Sequence, residues 1–179
     1  MEFLITLVSI TIGYMFLTSA ISKMRTFDQH KKIIHSYDIL PSKTVHYFAY
    51  IDVAFELFLA AMLLSILNLP IVSILSIALL LLYTIAISIN LIRGKVDLDC
   101  GCGGIVGENK ISWKLVIRNM FISLILVFLY VSSNNFTTDW SIVFLIVHLV
   151  LIQTILLILA NQRIVKFKKH YEKLGGNYE

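Results

Sequence analysis

The chain has 179 residues, 58% of them hydrophobic and 15% charged, with two prolines and a formal net charge of +4. Soluble domains are about 45–50% apolar, so this composition excludes an ordinary soluble domain and indicates a bilayer. The basic residues are strung along the edges of apolar runs, which argues against nucleic acid as a partner and makes the charge a signal of topology.

In chain order, apolar segments run from Phe3 to Ile21, His46 to Leu67, Ile71 to Ile92, Leu115 to Ser132 and Trp140 to Ala160. Each is long enough to cross about 30 Å of hydrocarbon as a helix, so the sequence predicts an all-α, polytopic protein with five spans. The first run begins "MEFLITLV" without a basic leader, and is read as a retained span rather than a cleaved signal. Between the first two runs, the polar stretch Ser22 to Thr44 predicts a short interfacial helix, with Pro41 marking the approach to the next span. "LNLP" between the second and third runs leaves room only for a tight antiparallel hairpin.

All fifteen Lys and Arg fall into three clusters, at Lys23–Lys43, Arg93–Arg118 and Arg163–Lys173. Five spans put these clusters on one side, whereas "NLP" and "SNNFTTD" on the other side carry none. The positive-inside rule therefore predicts an external amino terminus, with the carboxyl terminus and the third connection in the cytoplasm.

That third connection contains "DLDCGCGG", with the chain's two cysteines one residue apart. Two randomly placed cysteines would fall this close roughly one time in a hundred. One intervening residue holds extended alpha carbons near the upper limit of disulfide geometry, and Gly101 is the residue best able to supply the bend. A strained, exposed disulfide would suit exchange or electron relay and would be a poor staple, since it closes almost no loop. Arg93 and Lys95 favour a thiolate whereas Asp97 and Asp99 oppose it, so thiol activation is not decided by the neighbouring charges. Two thiolates can also hold Cu(I), Hg(II) or half a zinc site, with His30, His35 or His46 as extra donors, but no further cysteine completes a structural metal centre. Two small buried residues in a glycine turn are the plainest alternative.

The second span contains "YIDVAFELF", which places Asp52 and Glu56 on one helical face inside the hydrocarbon zone. Intramembrane carboxylates mark a proton relay, a transport path or a buried ion pair, and Arg118 in "WKLVIRNMF" is the expected partner, with Asn90 and Asn119 completing hydrogen bonds. Tyr14, Tyr50 and Tyr83 are expected to be packing or interface aromatics.

The run "LIRGKVDLDCGCGGIVGENKISWKLVIRNMF" resembles the signature of the MauE family, methylamine-utilisation membrane proteins related to DoxX. The matching residues are Arg93, Gly94, Asp99, Cys100, Gly101, Cys102, Gly104, Ile111, Ser112, Arg118 and Asn119, and Glu56 matches the acidic position of the second span. Gly103 departs from the pattern, which usually has phenylalanine there. The resemblance covers roughly the first four spans. It implies a DoxX-like four-helix transmembrane bundle with the Cys-Gly-Cys loop over residues 1–135; outside the matched part, the apolar run and basic residues at 136–179 are expected to form a fifth transmembrane helix and a basic cytoplasmic tail.

The resemblance further implies a thiol-disulfide oxidoreductase component that makes or maintains disulfides in exported proteins beside a thioredoxin-fold partner. In that reading Cys100 and Cys102 are the catalytic pair, Asp52, Glu56 and Arg118 a proton relay or ion pair, and Gly101, Asp99 and Asn119 the supporting loop residues. Exported disulfides lie outside while the charge count puts these thiols inside. A second carrier such as a quinone, a loop that dips inward, or the opposite topology would reconcile the two. Two other readings stand beside it: a soft-metal (Cu or Hg) binding or transport protein, and a noncatalytic membrane partner of a thioredoxin-like protein.

Overall fold

A computed structural model describes residues 2–100, 110–133, 148, 149 and 152. The regular elements among them are five helices: α1 (Glu2–Arg25), α2 (Phe27–Ser36), α3 (Ser42–Leu64), α4 (Leu69–Ile92) and α5 (Trp113–Ser133). Four of these, all but α2, have the length and apolar character to span a membrane, with 23, 23, 24 and 21 residues in their spanning segments. The chain is thus a polytopic helical membrane protein. The expected fifth span at Trp140–Ala160 lies outside the described residues except at His148, Leu149 and Ile152, and the chain divides into compact units at Met1–Thr138 and Asp139–Glu179.

Each spanning helix buries one stripe and offers the rest to lipid. In α1 the buried stripe is Ile5, Ser9, Ile12, Phe16, Ala20 and Lys23, at the three- and four-residue spacing of one helix face. α1 packs along α3 and α4 along α5, while contacts of α3 with α4 and of α1 with α5 join the two pairs. Small residues set the first pairing: Ser9 Oγ donates to the Leu63 carbonyl at 2.8 Å, and a Cβ added at Gly13 would come within 2.9 Å of Leu64 Cγ. This is the small-xxx-small device of membrane helices, in which backbones close in where side chains are absent.

The helix ends explain the connections. α3 and α4 both finish in a Schellman motif, with Leu67 N–H donating to the Met62 carbonyl and Lys95 N–H to that of Asn90. The left-handed position is Gly94 after α4, at φ 75°, but Ile66 after α3, at φ 53°. A β-branched residue is costly in that region, and the near-complete burial of the Ile66 side chain offsets the strain. Asn68 caps α4 with a second left-handed residue and Pro70 occupies its first turn, which makes "LNLP" the hairpin that the sequence predicts.

The predicted interfacial helix is α2, its acidic Asp28 in the first turn and His35 in the last, both complementary to the helix dipole. It packs on α3, with Phe27 and Tyr50 ring centroids 4.5 Å apart. The helix ends differ from the apolar runs by up to four residues, most at two boundaries. α1 continues past Ile21 to Arg25, and α3 starts at Ser42, immediately after Pro41. The first extension carries Lys23 into the bundle, because a helix ends where its backbone finds a new partner and not where its side chains become polar.

Candidate functional site

Chain alternation brings the end of α1, all of α2, the start of α3, the end of α4 and the start of α5 to one end of the bundle. The charged cluster draws on that end, from Lys23 in the last turn of α1 to Asp52 and Glu56 about three and four turns into α3. The Lys23 ammonium lies 2.9 Å from Asp52 Oδ2 and 2.9 Å from Glu56 Oε2, and all three side chains are nearly inaccessible. It also donates to Tyr83 Oη at 2.8 Å, and that hydroxyl donates to Asp52 Oδ1 at 2.5 Å. From α2, His30 reaches Asp52 Oδ2 through Nε2 at 3.0 Å. A carboxylate offers only acceptors, so Nε2 carries the proton in this bond.

Asp52 and Glu56 do share a buried face, as their spacing predicts. Their cation, however, is Lys23 and not Arg118, which engages in other interactions. The reason is position: Lys23 ends the buried stripe of α1, and α1 is the helix packed along α3. Tyr83 likewise belongs to the cluster and is no mere packing aromatic. Asn119 is buried on α5 and Asn90 bonds its own helix at the Ala86 carbonyl, so neither completes the carboxylate shell.

The cluster holds two carboxyls and one ammonium, and one further proton brings it to neutrality. Glu56 Oε2 accepts no well-directed hydrogen bond despite the nearby ammonium, and His30 Nδ1 is buried with no hydrogen-bond partner. A buried imidazole fixed by a carboxylate at one nitrogen and open at the other is suited to accept and return a proton.

Cys100 is disulfide-bonded and 8% exposed. It is therefore a buried sulfur and not the exposed one expected, because Ile87, Ile111 and Leu115 close around it, with Tyr37, Leu91 and Leu98 at the margin. Cys102 and Gly101 lie outside the described residues. The two flanks of this loop meet in an antiparallel bridge between Asp99 and Lys110, where Ile111 N–H donates to the Leu98 carbonyl at 2.9 Å. Lys110 pairs with Asp97 at 2.6 Å, which lowers the Asp97 carboxyl and raises the Lys110 amine. Tyr37, just past α2, donates weakly to the Asp99 and Cys100 carbonyls at 3.4 Å each. Burial, with Asp99 beside it, pushes that phenol up to about 12, so it remains a donor. Sequence reasoning missed Tyr37.

A partly open cavity of about 150 Å³ joins the two features. Cys100 and Tyr37 line it at the loop side, and Lys23, His30, Asp52 and Tyr83 on the cluster side. Among the described residues no group of three or more His, Cys, Asp or Glu side chains converges as a metal site.

Residues 1–132 match the family described as methylamine utilisation protein MauE. The chain belongs to the MauE family. It is 27% identical over 117 residues to the methylamine utilization protein MauE of Paracoccus denitrificans, covering 64% of this chain and 61% of that one. To the Methylorubrum extorquens protein of the same name it is 30% identical over 107 residues, covering 60% of this chain and 58% of the relative. The match thus spans about three fifths of the length of these curated MauE proteins. No solved structure matches the chain.

Proposed function

We propose that this MauE-family chain is a membrane thiol-disulfide redox component that exchanges through Cys100 and Cys102 with a thioredoxin-fold partner, and so supports disulfide formation or maintenance in exported proteins. The observation that carries the reading is the shared cavity, where a disulfide-bonded residue and a buried acid–histidine pair line one space. Exchange needs a sulfur that can leave as thiolate and a group that supplies or removes its proton. Cys100 provides the first and His30, held by Asp52, the second. Lys23 and Tyr83 hold Asp52 in place. The relatives' names attach them to methylamine utilisation, and the feature proposed as common with them is the redox device and not an amine site. The basic loops support a topology with the cysteine end and the carboxyl terminus in the cytoplasm and the amino terminus outside.

The test is a trap. Exchange passes through a mixed disulfide that the second thiol resolves, so Cys102→Ser should accumulate a reducible adduct between Cys100 and a co-expressed thioredoxin-fold partner. Cys100→Ser belongs in the same experiment, since either thiol can be the attacker. The adduct is read as a mass shift on a non-reducing gel that disappears with reductant. If neither variant forms one, and the purified wild-type chain instead holds stoichiometric Cu(I) or Hg(II) that both variants lose, the redox reading gives way to the soft-metal one.

A further inference from the structure

We propose that the cavity between Cys100 and the Lys23–Asp52–His30 cluster holds the ring of a lipophilic quinone, which takes up the electrons and protons of the cysteine pair. This rests on the redox reading above and names the carrier that reading requires. Three observations point to it.

The first is size and lining. A dry cavity of about 150 Å³ takes a benzene-sized guest. This one has that volume and apolar walls that include Ile34, Phe48, Leu79 and Ile87. The second is polarity at the cluster side. His30 lines the cavity, is 6% exposed, and leaves Nδ1 without a partner. A hydrocarbon chain would leave that nitrogen unsatisfied, whereas a quinol hydroxyl can donate to it, and a ring carbonyl can accept from it once it holds a proton. The third is the entrance. Ile39 and Leu82 line the cavity and are also 42% and 56% exposed, so its rim includes lipid-facing apolar side chains. A guest with an apolar tail can enter from the bilayer and leave the tail there.

The chemistry balances. Two S–H bonds break, one S–S bond forms between Cys100 and Cys102, and two electrons and two protons pass to the two carbonyl oxygens of the quinone, giving the quinol. His30 accepts a thiol proton at Nδ1, with its Nε2–H held by Asp52, and returns it to a ring oxygen.

The experiment uses the full chain in lipid nanodiscs with an azido-substituted benzoquinone as photoprobe and decylubiquinone as competitor. Saturable labelling of peptides containing Ile33–Leu40 or Leu79–Ile87, displaced by decylubiquinone, is the expected result. Leu79→Trp fills the cavity and should reduce labelling at least tenfold, and Ala86→Leu is a second filling variant should the first not fold. The double variant Cys100→Ser/Cys102→Ser should keep the label, so a failure of the thiol reading leaves this binding intact and the two are told apart. For turnover, the reduced wild-type chain should lose two thiols per quinol formed, and His30→Gln should slow that loss at least tenfold when compared at saturating quinone. Labelling that decylubiquinone does not displace, two folded filling variants labelled like wild type, or a tightly held phospholipid that quinone cannot displace would each overturn the assignment.

Discussion

At the scale of the residue, Lys23 decides the energetics of the site. One ammonium lies against two carboxylates in a setting with almost no water, and removing it leaves both charges without their partner. Breaking a buried pair on one side costs about 3–5 kcal/mol unless the survivors take up protons. Lys23→Met should therefore lower the thermal midpoint of the purified protein sharply, and Lys23→Met combined with Asp52→Asn and Glu56→Gln should recover much of it. Arg118→Leu should leave these carboxylates paired, and an equal recovery of Arg118→Leu by the same acid replacements would contradict the assignment. Lys23 was legible in principle. It continues the spacing Ile12, Phe16, Ala20 on the face that packs on α3, yet its charge assigns it to the flank if only the apolar run is counted. His30 and Tyr83 were less legible, since a histidine in a polar loop and a tyrosine in an apolar helix reveal a role only when a third element brings the carboxylate to them.

At the scale of the element, the cysteine loop is held by its two flanks. Upstream, Gly94 ends α4 at φ 75° with nothing within 4 Å of an added Cβ, so Gly94→Ala meets a conformational penalty and no clash. Left-handed backbone costs an L-residue about 1–2 kcal/mol, and chemical denaturation should report a loss of that order. Downstream, the Asp97–Lys110 pair has a defined pH window. The lowered Asp97 carboxyl makes its contribution present above the ordinary carboxylate value of about 3.9 and lost as pH falls through the lowered one. The raised Lys110 amine makes its contribution complete below the ordinary value of about 10.4 and lost as pH rises through the raised one. Both groups are exposed, so the expected signature is a titration shift: carboxyl NMR should find Asp97 below its ordinary value, and Lys110→Met should return it there. The spanning elements were readable from apolar run length and the short helix α2 from the polar stretch between the first two runs, whereas their ends were not, because the Schellman bonds that stop α3 and α4 are backbone events.

At the scale of the whole molecule, antiparallel packing of four spans explains why residues from distant parts of the sequence meet at one end. Lys23, His30, Asp52, Tyr83 and Cys100 come from four helices and a loop, and each element contributes near the same membrane face. That common face also carries the basic residues of both connections within residues 1–132. Placing it in the cytoplasm is an electrostatic expectation, since Lys and Arg next to a span resist translocation and the opposite connections contain neither. The prediction is tested in whole cells with a membrane-impermeant maleimide after reduction with a permeant reductant. Cys100 and Cys102 should stay unlabelled in intact cells and react once the membrane is opened under mild denaturation. The denaturing step matters, because Cys100 is buried and poor labelling in the folded protein would otherwise mimic the cytoplasmic result. A single cysteine placed at Asn68, in a chain lacking Cys100 and Cys102, supplies the opposite arm: it should react from outside without opening the membrane. Reaction of Cys100 or Cys102 from outside, with Asn68→Cys protected, would invert the topology and put the disulfide on the side of the exported proteins it is proposed to serve.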